Sequence, residues 1–124
     1  MATIDMSLYT DTQDALDTVT RDTVNGDVFE YPDGWTETIS TTLDDSTYGN
    51  PSATAPLLLK GLGTATIPCS GGIINSSSSN VVNFENMSIV GGGILSASTS
   101  NIRSYATNCS FNISGTATLY YGRG

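Results

Sequence analysis

Apolar residues recur along this chain in short runs of strand length, separated by polar turns. At the start, Ile4, Met6 and Leu8 alternate with Asp5, Ser7 and Tyr9, a period of two that fits a strand laid on another surface. Residues 1–9 are therefore expected to form an extended N-terminal arm. The spacing then lengthens, and Ala15, Leu16 and Val19 make the apolar stripe of a short helix. Thr10 or Asp11 can cap its first amides, and Asp11 and Asp14 sit where the helix dipole favours anions. The pattern predicts a capping helix over about 11–23, ending before the turn dipeptide Asn25-Gly26. From Asp27 the period returns to two. Val28, Phe29 and Tyr31 form a strand that Pro32-Asp33-Gly34 turns, and 35–42 reads as a second strand. Trp35, Glu37 and Ile39 share one of its faces; Thr36, Thr38 and Ser40 share the other. Residues 44–56 are a polar excursion of a length that in a small domain goes with function or with packing on a neighbour.

The second half repeats itself. Ser79-Asn80-Val81 recurs as Ser100-Asn101-Ile102, and Glu85-Asn86-Met87-Ser88-Ile89 recurs as Thr107-Asn108-Cys109-Ser110-Phe111. The apolar run Leu57-Leu58-Leu59-Lys60-Gly61 aligns by composition with Met87-Ser88-Ile89-Val90-Gly91. Periods of about 20–30 residues with short strands and polar turns are a solenoid signature. Stacked repeats are expected to place Val81 over Ile102, Phe84 over Tyr105, Met87 over Cys109 and Ile89 over Phe111.

Composition agrees with strands and turns. Charged residues make up only 13% of the 124, and Ser, Thr, Asn and Gly fill the difference, a mixture that disfavours helices. The length suits a single domain, 10–124, behind the arm. Charge is one-sided: of the net −8, residues through Asp45 carry −10 and the rest +2. That balance lacks the basic stripe a nucleic-acid partner needs. It suits an acidic end that keeps the chain soluble or meets a basic surface. No apolar run approaches the roughly 20 residues that span a bilayer, so no membrane partner is expected. Neither a basic, apolar leader nor metal-ligand spacing at Cys69 and Cys109 is seen, so free thiols in a reducing cytoplasm are expected.

The order helix, Gly26-Asp27-Val28-Phe29, Tyr31-Pro32-Asp33-Gly34-Trp35-Thr36-Glu37-Thr38-Ile39 and Leu58-Leu59-Lys60-Gly61 resembles the N-terminal end of pectin-lyase-like right-handed β-helices. The resemblance implies an all-β fold: a short right-handed parallel β-helix of three to four coils with a capping α-helix. Enzymes of that group use clusters of Asp, Lys, Arg or His on a long coil face. Here His is absent and a single acid, Glu85, follows Asp45, so no carboxylate pair can be assembled on the later coils. The abundant serines have no base to activate them. The expectation is no enzyme, no catalytic or metal residues and no cofactor.

In size, composition and arm the chain also resembles the short β-helical cement (decoration) proteins of tailed-phage capsids, which are related to tailspike stems. That likeness implies a structural virion protein, assembled in the host cytoplasm. It would bind the outer capsid surface as a homotrimer, stabilising contacts between subunits of the major capsid protein. Expected capsid or protomer contacts are Ile4, Met6, Leu8 and Tyr9 of the arm, Tyr48 and Asn50 of the loop, and Leu119, Tyr120, Tyr121 and Arg123 at the end. The alternative is a receptor- or carbohydrate-binding module of a tail fibre or tailspike, with Trp35, Tyr48, Tyr120 and Tyr121 as its aromatics.

Overall fold

Most alternating segments become parallel strands, but Met6–Leu8 of the expected extended arm is a 3-10 turn, and the strand expected over 35–42 is continuous only at Trp35–Thr36 among the described residues. A computed structural model describes residues 2–40, 43–44, 46–49, 51–52, 54–68, 82–90 and 106–112. In chain order these form β1 (Ala2–Asp5), a 3-10 turn (Met6–Leu8), α1 (Thr12–Thr18), β2 (Asp27–Tyr31) and β3 (Trp35–Thr36). Then come β4 (Leu57–Gly61), β5 (Ala65–Pro68), β6 (Val82–Glu85), β7 (Ser88–Val90), β8 (Ala106–Thr107) and β9 (Ser110–Asn112). Every pairing among these strands is parallel. One sheet runs β1-β2-β4-β6-β8 and the other β3-β5-β7-β9.

Alternation decides which side chains face inward. In β2 and β4 the buried positions are the odd-numbered ones, Asp27, Phe29 and Tyr31, then Leu57, Leu59 and Gly61. The register sets Ile4, Phe29, Leu59 and Phe84 in one row across the first sheet. In the second sheet Ile67 lies opposite Ile89. The two inner faces meet: Tyr31, Leu59, Ile67, Phe84 and Ile89 line a residual void of only about 10 Å³. A space that small holds at most one water, so the sheets pack as a close core.

Short corners join the sheets, and three of them use residues that tolerate a left-handed backbone. Gly34 (φ 82°) turns the chain from β2 into β3, Asn86 (φ 54°) from β6 into β7, and Asn108 (φ 53°) from β8 into β9. Asparagine is one of the few side chains that enters this region readily. The two asparagines also bond in a ladder: Asn108 Nδ2 donates to Asn86 Oδ1 (2.9 Å), and Asn86 Nδ2 donates to the Gly61 carbonyl (2.9 Å). Ser110 Oγ donates to Ser88 Oγ (3.0 Å) in the same register.

The expected all-β right-handed parallel β-helix, and with it the pectin-lyase-like architecture, is overturned. The described residues make two small parallel sheets and one α-helix, a mixed arrangement that does not close into helical coils. The repeat period specifies which strands stack on which. Whether the chain between them completes a closed turn depends on the connecting segments, and their polar composition suits any loop path.

Register also departs from two alignments made on sequence. Leu57–Gly61 pairs with Val82–Glu85, not with 87–91, so Leu59 meets Phe84. Phe84 in turn lies opposite Ala106, one residue past Tyr105. The spacing is 22 across this pair, as it is for Ile89 opposite Phe111. Matching corners on Asn86 and Asn108 keep the two strands of each repeat in a single offset. Met87 is buried, and Cys109 packs against the core beside it. Val81, Ile102 and Tyr105 lie outside the described residues.

Candidate functional site

Residues through Asp45 carry the −10 charge, and the described ones among them build the end of the stack that carries β1 and α1. Helix α1 is seven residues long, shorter than the 11–23 expected. Asp11 caps it by accepting from the Asp14 amide (2.8 Å), and Asp14 Oδ2 accepts from the Thr10 amide (2.9 Å). It stops at Val19, whose backbone is extended (ψ 133°). Its buried face, Thr12, Ala15 and Leu16, lies on the core.

Thr12 ties the helix to both sheets. Its hydroxyl donates to Glu37 Oε1 (2.6 Å), so the Tyr31 hydroxyl, 2.7 Å away, must donate to Thr12. The Thr12 amide also donates to Glu37 Oε2 (3.0 Å), and Trp35 Nε1 donates to Oε1 (3.2 Å). Trp35 sets its ring edge-on to Tyr31 at 5.3 Å. Burial, with the Glu37 carboxylate nearby, pushes the Tyr31 phenol far above its ordinary range. Glu37 faces the same side as Trp35 and Ile39, and its carboxylate is taken up by these donors. Glu37→Ala would strand the Thr12 amide and the Trp35 indole. It is expected to cost about 2 kcal/mol in urea unfolding, and Glu37→Gln less than half of that.

The polar excursion lies back over this same end. The Gln13 side chain makes two bonds to the Asp44 backbone, Nε2 to the carbonyl and Oε1 from the amide, both 2.8 Å. Tyr48 is only 4% exposed. Its ring meets Phe29 edge-on at 5.9 Å, and its hydroxyl donates to Asp27 Oδ2 (2.5 Å). Asp27 is fully buried, with its other oxygen unpartnered among the described residues. Burial and the Asp27 carboxylate together raise the Tyr48 phenol well above the usual range. Arg21 Nη2 donates to the Ala55 carbonyl (3.3 Å) and pins the far side of the loop.

β1 forms the outer edge. Ala2 N donates to the Gly26 carbonyl (3.2 Å), and the register runs Ala2 to Asp27 through Asp5 to Glu30. Ala2, Thr3 and Asp5 are exposed. On the outer face the register makes one charged row, Asp5, Glu30, Lys60 and Glu85. Asp5 Oδ1 accepts from the Ser7 hydroxyl (2.7 Å) and amide (2.9 Å), which holds its carboxyl below the usual range.

Other features offer less chemistry. A polar groove of about 270 Å³ is lined by Thr64, Asn86, Ser88, Asn108, Cys109 and Ser110 among others, but its asparagines and serines are spent on the ladder. The Cys109 thiol is free and partly buried, and that burial raises its pKa. Among the described residues no group of three or more His, Cys, Asp or Glu is placed to hold a metal, and no helix is long and apolar enough to cross a membrane.

No protein-family model, curated protein or solved structure matches this chain. The resemblance to pectin-lyase-like β-helices and to β-helical cement proteins therefore has no relative behind it, and it carries neither fold nor family.

Of the residues singled out on sequence, Met6 is fully buried, Ile4 and Tyr9 pack partly against the core, and Leu8 is 76% exposed. Tyr48 is a core residue of the loop rather than a surface group. Asn50, Leu119, Tyr120, Tyr121 and Arg123 lie outside the described residues. Sequence reasoning passed over Asp27 as a site residue, because its role depends on Tyr48, 21 positions away. One signal was available: an acid at an inward position of an alternating strand requires a partner.

Proposed function

We propose that this chain is a non-catalytic structural protein whose acidic N-terminal end docks on a basic protein surface. The surface put forward is the outside of a tailed-phage capsid. There the chain would act as a homotrimeric decoration protein that stabilises contacts between major capsid subunits. The observation carrying this reading is the build of that end. An exposed edge strand, exposed Asp5, Asp17, Asp33 and Asp44, and the exposed Leu8 all belong to it. Its other polar groups are tied into the fold: Glu37 is filled by Thr12 and Trp35, and Asp27 is buried under Tyr48. Trimerisation is argued from size. A core of short strands buries little apolar area, and three copies around one axis would cover more.

The glycan-binding alternative has less support. A sugar platform needs exposed aromatic faces, whereas Tyr48 is buried and Trp35 is half-buried with its indole N–H on Glu37.

The test is to mix the purified chain with expanded phage capsids lacking decoration and image them by cryo-electron microscopy. Stoichiometric density at three-fold positions, lost at high salt, is the expected result. Binding to glycans with none to capsids would favour the alternative.

A further inference from the structure

We propose that the outer edge of β1 is a strand-addition site for an extended segment of a partner protein that carries a lysine or arginine opposite Asp5. This rests on the reading of the acidic end as the docking end and gives that end a binding mode. In a parallel pair, alternate residues turn their backbone groups toward the partner strand. Ala2 N–H bonds to Gly26, so Ala2 and Ile4 serve the pairing with β2. The amides and carbonyls of Thr3 and Asp5 then face the other way, and among the described residues no strand lies beyond β1. An open row of this kind is a template for another strand, and main-chain bonding there supplies affinity while alternate side chains supply selectivity.

Charge selects the occupant. Along the outer row Lys60 stands between Glu30 and Glu85, with opposite signs adjacent. At the edge the alternation fails, because Asp5 lies directly opposite Glu30. Like charges opposite one another destabilise a pair, and a cation on the far side of Asp5 restores the alternation. Asp5 has room for it, since both Ser7 donors sit on Oδ1 and no partner is seen on Oδ2 among the described residues. Pairing of β1 with β1 of a second copy is disfavoured, because it would bring another end carrying −10 against the first.

The experiment uses the full chain and a short capped peptide of alternating valine and lysine. In the free protein the Thr3 and Asp5 amides should exchange rapidly with solvent and the Ile4 amide slowly. Adding the peptide is expected to protect Thr3 and Asp5 and to shift their NMR resonances. The same peptide N-methylated at alternate residues, or with glutamate for lysine, is expected to do neither. Thr3→Pro removes only an outward N–H and should weaken binding at least about fivefold. Asp5→Lys should weaken it about tenfold. Peptide binding that ignores N-methylation, or no binding at all, overturns strand addition. So does concentration-dependent protection of the same amides without peptide, which would mean self-pairing. Capsid binding separates the two proposals. If Thr3→Pro binds capsids as the unmodified chain does, docking stands and strand addition falls. If the peptide binds as described and capsids do not, the capsid reading falls instead.

Discussion

Gly26→Ala is expected to abolish the cooperative unfolding transition, or to lower stability by more than about 3 kcal/mol if any folded protein survives. Gly26 has φ 80° and closes the turn before β2. A Cβ there would fall on the Pro56 carbonyl oxygen, with Pro56 N at 2.7 Å and the Ala55 carbonyl carbon at 2.8 Å. All three are backbone atoms, and they cannot yield as a flexible side chain can. The Asp27 amide donates to the same Pro56 carbonyl (3.0 Å), and the Gly26 carbonyl accepts from Ala2. A shift at this point therefore breaks the β1–β2 and β2–β4 pairings together. Gly34→Ala is the control. Its φ is 82°, but nothing lies within 4 Å of the added carbon. The same backbone cost without the collision is about 1–2 kcal/mol. Chemical denaturation of both variants measures the difference, and equal losses would show that the close approach to Pro56 contributes nothing.

Raising the pH past 10 is expected to unfold the chain. Tyr31 and Tyr48 hold their protons more tightly when folded than when unfolded, Tyr31 because of burial, Tyr48 because of burial and its bond to Asp27. A group of this kind contributes stability fully below its unfolded value, about 10 for tyrosine, and loses it as the pH climbs toward the folded value. Tyr31 alone then costs about 1.4 kcal/mol per pH unit above 10. Tyr48, slightly exposed where Tyr31 is not, adds a smaller share. Tyrosinate absorbance and circular dichroism should show one shared transition for the buried phenols, and Tyr31→Phe should move it to higher pH. Ionisation of all six tyrosines near pH 10 with an unchanged fold would contradict this. On the acid side the carboxyls of Asp5, Asp22 and Asp44 are lowered by nearby hydrogen-bond donors. Their contribution is present above the ordinary carboxylate range and lost as the pH falls below it.

Alternation made the inward face legible but not the strand lengths, since β1 gives way to a 3-10 turn at Met6 and β3 is continuous only at Trp35–Thr36. Phe29 and Tyr31 face inward as their spacing requires, and Glu37 shares the face of Trp35 and Ile39. Register was legible only in part. The offset of 22 from Ile89 to Phe111 follows from the repeated Asn corners. The run at Leu57–Gly61 has no such corner residue, and its apolar character alone matched the wrong later strand. Closure of the chain into coils had no residue-level signal, and the β-helix expectation failed there. At the acidic end the charge was visible in the sequence, but the Tyr48–Asp27 and Gln13–Asp44 contacts join residues 21 and 31 apart. No local pattern encodes contacts of that range.

Those parallel pairings also govern how the chain can fold as it is synthesised. β2 finds its partner β4 only 30 residues later, with Phe29 waiting for Leu59. Among the described residues no two strands pair antiparallel, so no hairpin among them can form early. Such non-local contacts place folding toward the millisecond-to-second end of the range for small domains. During translation the first strands leave the ribosome before the residues that bury them exist. The acids in that first stretch give neighbouring nascent chains like charge over the interval in which Phe29 and Tyr31 await residue 61.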